Sequence, residues 1–252
     1  MSSQVQVQVV ILAGGRASAD AVAAGWPEWR ALAPLAGRPT IAWVLDAFRA
    51  SSTIGDICVV GPGDLREVIG DAKLIPPGKA MWDSVSAGLR SVGHGKALIS
   101  SADAPLLTPE SIDDVVNRSV ALDAAFVYPY VSRQDSESQC PGLKRTYGSL
   151  AEGVFTGGNL MLVDVDIVLR QEPVIRKALD ARKKPFTLAS MLSLRILVKA
   201  LMKRVTVNDL EQRISLILGA KTRGLLSMYA VIAADLDDPA EAPVFEQLIR
   251  RG

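Results

Sequence analysis

The sequence predicts an α/β fold: a mostly parallel sheet covered by helices on both faces. Three observations carry this. Short apolar runs of strand character alternate with helix-like stretches as far as Asp164, the pattern of βαβ units. Several of these runs end in glycine or lead to an aspartate, at Gly14-Gly15, Gly61 and Asp103, and ligands of such sheets bind beyond the carboxyl ends of the strands. The chain has 252 residues, 49% of them apolar, enough for one large core.

The elements follow in order. Val7 to Leu12 reads as the first strand. Pro39 to Phe48 reads as a helix with Pro39 in its first turn. Ile57 to Gly61 is a second strand, and Leu74 and Ile75, before Pro76-Pro77-Gly78, mark a third. Met81 to Leu89 has helical spacing, and Ala97 to Ser100 is a central strand. Thr108 is the expected N-cap of a helix that opens Pro109-Glu110-Ser111. Ala124 to Tyr128 and Leu160 to Val163 are further strands. From Val165 to Leu226 the pattern turns mostly helical, with no convincing strand. Tyr229 to Ala234 then reads as a late strand rejoining the sheet. The expectation is one domain over residues 1–252, with a helical insertion at about 165–226.

Within that insertion, Leu188 to Arg204 has a wide apolar face and only basic charges. It suits a helix packed on the domain or on a second subunit. An interfacial helix that meets lipid or a lipid-linked acceptor is the alternative. A homodimer contact or an acceptor-side lid is the preferred expectation.

Composition narrows the function. A net charge of +1 supplies no bulk field for nucleic acid or anionic membranes. Cys58 and Cys140 form no disulfide framework, the N-terminus lacks a signal-peptide pattern, and no run has membrane-spanning character, so a cytoplasmic protein is expected. His94, the one histidine, lies between two glycines and reads as a surface residue. No Cys/His cluster suggests zinc.

The chemistry-bearing segments lie elsewhere. Gly14-Gly15 after a strand lets backbone N–H groups approach an anion. Arg16, Arg30 and Arg38 follow as cations of the kind that bind phosphate. Asp103 ends a buried strand, where a carboxylate needs a cation or hydrogen bonds; Mg²⁺ or a turn N–H group would each satisfy it. In Asp235-Leu236-Asp237-Asp238-Pro239, Asp238 suits a helix cap while Asp237 is free to face a site.

These segments together resemble the signature of the MobA-like NTP transferases. They are nucleotidyltransferases with a GT-A-like fold that include molybdenum-cofactor guanylyltransferases and sugar-phosphate nucleotidyltransferases. The matching residues are Leu12-Ala13-Gly14-Gly15, Arg30-Ala31-Leu32-Ala33-Pro34 to Gly37-Arg38-Pro39, Asp103-Ala104-Pro105-Leu106-Leu107 and Asp235-Leu236-Asp237. Ser84 to Gly88-Leu89, Lys144-Arg145-Thr146-Tyr147 and Phe155-Thr156-Gly157-Gly158-Asn159-Leu160 match as well. Ala17 and Ala19 stand where the family has glycine and arginine, and Arg30 replaces its lysine. The resemblance implies a three-layer α/β/α, Rossmann-like architecture. It also implies Mg²⁺-dependent transfer from an NTP to a phosphorylated small-molecule acceptor.

By the same resemblance Leu12, Ala13, Gly14, Gly15, Arg16, Arg30, Asp83, Ser84 and Asp103 surround the nucleotide. Arg16, Arg30 and Asp103 carry catalysis, Asp103 and Asp237 hold the metal, and Lys144, Arg145, Gly157, Gly158 and Asn159 meet the acceptor. Two other readings stay open. A nucleotide-sugar glycosyltransferase shares the layout but normally has an Asp-x-Asp pair, where this chain has Ala102-Asp103-Ala104. A catalytically impaired nucleotide-binding protein is compatible with Ala17 and Ala19.

Overall fold

The computed structural model of the chain describes residues 6–181, 196, 199–200, 202 and 204–251. Its sheet is built around β1 (Val7–Leu12), flanked in parallel by β4 (Ile54–Val60) and β6 (Lys96–Ser101). β5 (Lys73–Ile75) adds to the outer edge of β4. On the other side β10 (Leu160–Asp164) runs antiparallel between β6 and β7 (Phe126–Ser132). The hairpin of β8 (Gly148–Leu150) and β9 (Gly153–Gly157) extends from the far half of β7. A two-residue hairpin, β2 (Pro34–Leu35) with β3 (Arg38–Pro39), stands apart. Its turn places Ala36 and Gly37 at positive φ, as a tight two-residue connection requires.

Val9, Val10 and Ile11 of β1 are fully buried, because helices cover both faces of a parallel sheet. Val9 and Ile11 belong to the cluster of one face. There they join Ile41, Leu45 and Phe48 of α2 (Thr40–Ala50) and Ile112, Val115 and Val116 of α4 (Pro109–Ala121). Val10 belongs to the other cluster, with Trp82, Val85 and Leu89 of α3 (Met81–Val92) and Val165 and Val168 of α6 (Val165–Arg170). The short helices α1 (Ala19–Ala23) and α5 (Arg133–Gln139) edge the fold. α7 (Glu172–Ala181) follows α6, and α9 (Ala242–Ile249) closes the chain. Thr108 caps α4 as expected, its hydroxyl accepting the Ser111 N–H.

Two expectations need correction. The insertion does contain a strand, β11 (Thr222–Ser227), which runs parallel to β7 along its free edge. It follows α8 (Val207–Leu218), which ends at Gly219 in the left-handed region, φ 59°. The sequence Thr-Arg-Gly-Leu-Leu-Ser alternates poorly, and the partner strand supplies what its pattern lacks. Conversely, Ala230–Ala233 is a 3₁₀ turn rather than a strand. Its apolar run reflects burial of Ala230, Ile232 and Ala233, and burial alone does not distinguish a strand from a packed turn. The segment from Leu188 to Arg204 lies almost wholly outside the described residues.

Candidate active site

Backbone hydrogen bonds bring four distant segments to the carboxyl edge of the sheet. Ala13 donates to Val60 O at 2.8 Å and Ala102 to Leu12 O at 3.2 Å, which fixes the turns after β1 and β6 side by side. Leu236 donates to Asp103 O at 2.7 Å, so the Asp235-Leu236-Asp237 segment is tied to the end of β6. Asn159 donates to Ile232 O at 2.7 Å, and Gly158 to Pro129 O at 2.9 Å. These last bonds hold the bend where β9 passes into β10. A cleft of about 560 Å³ opens among the turns after β1 and β6, the β9–β10 bend and the loop Pro77 to Ala80, within the size range of small-molecule sites; Asp237 does not line it and reaches its wall through Arg30.

Arg30 is the centre of its polar wall. Its Nη2 lies 2.9 Å from Asp103 Oδ2, and its Nη1 pairs with Asp237. One guanidinium fork thus joins both acids expected to hold a metal. Gly15 makes room for it: a Cβ at Gly15 would stand 3.1 Å from Arg30 Nη2. The glycine serves close approach here, since its φ is not positive. Desolvation raises the Asp237 carboxyl above its ordinary range, Arg30 opposes that rise and Asp235 adds to it. Asp238 caps the final turn through the Ala240 N–H at 2.9 Å, as expected, while Asp237 pairs with Arg30.

Leu12, Gly14, Gly15 and Arg16 line the cleft with Arg30 and Asp103; Ala13, buried behind them, contributes backbone. Arg16 pairs with Glu28 and lies over the Trp29 ring at 4.8 Å. The opposite rim is the loop Pro77 to Ala80 before α3. Ser84 Oγ accepts the Gly78 N–H at 3.0 Å, and Asp83 accepts the Ala80 N–H at 2.9 Å and pairs with Arg176 at 2.7 Å. Ser84 lines the cleft and Asp83 does not; together they hold the loop that does.

Of the five residues expected at an acceptor, Gly158 and Asn159 line this cleft, and Gly157 faces a neighbouring cavity. Lys144 and Arg145 line neither. The Arg145 side chain is 8% exposed. Its guanidinium donates to Asp235 O at 3.0 Å, lies 3.6 Å from Asp235 Oδ1 and stacks over Phe245 at 5.9 Å. The Lys144 N–H donates to Glu241. The Arg145 side chain and the Lys144 backbone therefore hold the C-terminal acidic segment, while the Lys144 side chain is exposed.

Six buried side-chain polar atoms lack a hydrogen-bond partner in the described molecule, and four belong to residues of this cleft. They are Arg30 Nε, Ser101 Oγ, Asp103 Oδ1 and Asn159 Nδ2. Buried polar groups are nearly always paired, so four unpaired atoms on residues of one cleft make it the candidate site. Sequence reasoning missed Ser101, although Ser100-Ser101 at the end of an apolar strand was a visible signal. It also missed Tyr128 and Met161, which line the cleft as ordinary strand residues.

Residues 9–175 match the model of the MobA-like NTP transferase domain. A 2-C-methyl-D-erythritol 4-phosphate cytidylyltransferase of Frankia casuarinae is 31% identical over 117 residues, which are 44% of this chain and 42% of that protein. The chain thus spans less than half the length of this curated relative. A hypothetical transferase structure from Thermus thermophilus is 32% identical, with TM-score 0.85, over 94% of this chain and 99% of its own. The 4-diphosphocytidyl-2C-methyl-D-erythritol synthase of Anaerococcus prevotii has TM-score 0.61 at 12% identity, over 99% of this chain and 100% of its own. That likeness shows a shared fold, and it agrees with the expected α/β/α architecture.

Proposed function

The chain belongs to the MobA-like NTP transferase family, and on that premise we propose the reaction it performs. It moves a nucleoside monophosphate from an NTP to a phosphorylated small-molecule acceptor and releases pyrophosphate. The observation that carries this is the set of four unpartnered polar atoms in one cleft. Two are donors, on Arg30 and Asn159, and suit phosphate or base oxygens. One is a carboxylate oxygen, on Asp103, and suits a cation.

The acceptor phosphate attacks the α-phosphorus, and the bond to the bridging oxygen of pyrophosphate breaks. Positioning and charge stabilisation dominate such a transfer. Gly14 and Gly15 present backbone to the phosphates, and Arg16 and Lys79 add positive charge from either rim. Arg30 already spans two carboxylates. An entering triphosphate competes for its donors, and the free Nε adds one more contact. Ser84 and Asp83 hold the 77–80 loop against the base side.

The donor set also fits a divalent cation. Asp103 and Asp237 offer hard oxygen ligands, and Asp103 Oδ1 is buried and unpaired. These two residues would hold Mg²⁺, which when bound neutralises phosphate charge. Among the described residues no three His, Cys, Asp or Glu side chains cluster as a ligand set, so substrate oxygens and water would have to supply the remaining ligands.

The test is a pyrophosphate-release screen of the full chain over the four NTPs with phosphorylated acceptors, in Mg²⁺. CTP leads the screen because the Frankia casuarinae relative is named a cytidylyltransferase. Release with one NTP, lost in Asp103→Asn, is expected. No release with any NTP overturns the reading.

A further inference from the structure

A second cavity, of about 540 Å³, adjoins the first. Tyr128 and Met161 wall both. Phe126 and Tyr130, each two residues from Tyr128 on β7, line the second and share its face of the sheet. Phe155 joins Tyr130 edge to face, with ring centroids 5.2 Å apart. Leu210 and Ile214 of α8 close the other side. The charged groups present are paired with each other: Glu211 accepts the Gly224 N–H at 2.7 Å and lies 3.5 Å from Arg223.

The partition between the cavities is specific to glycine. A Cβ at Gly157 would lie 2.1 Å from Tyr128 Oη, so this residue is what lets the tyrosine stand where it does. Gly157 faces the apolar cavity, and the next residue, Gly158, faces the polar cleft. A molecule passing Tyr128 would have one end among cations and unpaired donors and the other among hydrocarbon and aromatic rings. A polyhydroxylated sugar would bury most of its hydroxyls against ring and hydrocarbon, with only the tyrosine and threonine hydroxyls of the lining to meet them, at a cost. A hydrocarbon gains by leaving water there.

We propose that this cavity takes the apolar body of the acceptor, which is the phosphate ester of an alkyl or prenyl alcohol. The inference rests on the transfer reaction proposed above. The ester phosphate lies on the cleft side of Tyr128. One of its oxygens forms the new bond to the α-phosphorus. The α–β bridging P–O bond breaks, and its electron pair leaves with pyrophosphate.

The test titrates the full chain with n-alkyl monophosphates from ethyl to octyl, read by displacement of N-phenyl-1-naphthylamine fluorescence. The four NTPs are titrated in parallel by calorimetry. Affinity should rise by about two- to fourfold for each methylene buried. Ile214→Glu places a charge in the wall at a residue already 36% exposed. It should flatten that series and leave NTP affinity unchanged. Ile214→Met, uncharged and of similar volume, should preserve the series, which separates a charge effect from a defect of any substitution at that position. NTP binding with an alkyl series flat in the wild type, or equally steep in Ile214→Glu, overturns the inference alone. A steep series in a protein that binds no NTP overturns the transfer reaction and supports the apolar ligand class.

Discussion

Arg30 and Arg145 both serve the Asp235-Leu236-Asp237 segment, and they differ in what is left over. Arg145 is buried, bonded to backbone and carboxylate of Asp235 and stacked on Phe245. Arg30 holds Asp237 and Asp103, yet its Nε and the Asp103 Oδ1 have no partner. Both environments put an arginine against an acid. The difference teaches that unmet bonding capacity, more than charge proximity, separates a site from a brace.

The strongest way to break this comparison is Asp103→Asn. It removes the charge that faces the unfilled side of the pair. Transfer activity should fall by about 10²- to 10⁴-fold, measured as pyrophosphate release, with the circular dichroism spectrum unchanged. Asp237→Asn should fall in the same direction. Full activity in both variants would make Arg30 another brace.

Arg145→Met examines the opposite arm. It leaves Asp235 without its partner beside a buried aromatic ring, which should cost roughly 3 kcal/mol of stability by denaturant titration. NTP affinity of the folded protein should hold. A loss of affinity at unchanged stability would move Arg145 into the site.

Arg30→Ala comes next in size. Triphosphate affinity should weaken by about 1.5–3 kcal/mol, the range for a hydrogen bond to a charged group, while the matching nucleoside should bind nearly as before. Equal losses by calorimetry would place Arg30 outside the phosphate path.

The smallest effect sharpens the contrast with a third, fully partnered acid. Asp209 accepts from Lys199 Nζ at 2.6 Å and from the Thr206 N–H at 3.0 Å. Lys199 first, then the Thr206 N–H, lower its carboxyl from 3.8 to about 2. A lowered folded value means that its contribution is fully present above the ordinary 3.8 and is lost as pH falls through about 2. Asp209→Asn should therefore flatten acid unfolding within that window and leave neutral stability curves with the same pH slope. An acid limb identical to wild type would show that the pair contributes nothing.

Much of the candidate site was legible because its parts are local. A strand that ends in Gly14-Gly15 and a strand followed by Asp103 announce themselves in short windows, and Asp237 was recognisable beside its capping neighbour Asp238. The meeting of Asp103 with Asp237 depends on the backbone bond from Leu236 to Asp103 and on the shared Arg30 fork, which no local pattern encodes. β11 was missed because its edge pairing with β7, and not alternation, makes it a strand. Tyr128 was missed because strand residues pointing into a cleft carry the same apolar signature as residues pointing into a core. Arg145 showed the reverse: a basic residue beside another basic residue looks free in sequence, and only the fold reveals the ring and carboxylate that engage it.

The antiparallel course of β10 has a consequence for how this protein can be rebuilt. Val163 pairs with Phe126 on one side of β7, and Thr222 pairs with the same Phe126 on the other. The stretch from 165 to 221 therefore leaves and re-enters the sheet two strands apart, roughly 10 Å, at the end away from the glycine turn. Most of it also lies beyond the 9–175 family match. Exchanging it between homologues is thus a direct trial of the proposed acceptor cavity: the swap replaces its α8 wall, and also Arg176, which holds Asp83 beside the 77–80 loop, while Gly14-Gly15, Arg30 and Asp103 stay in place.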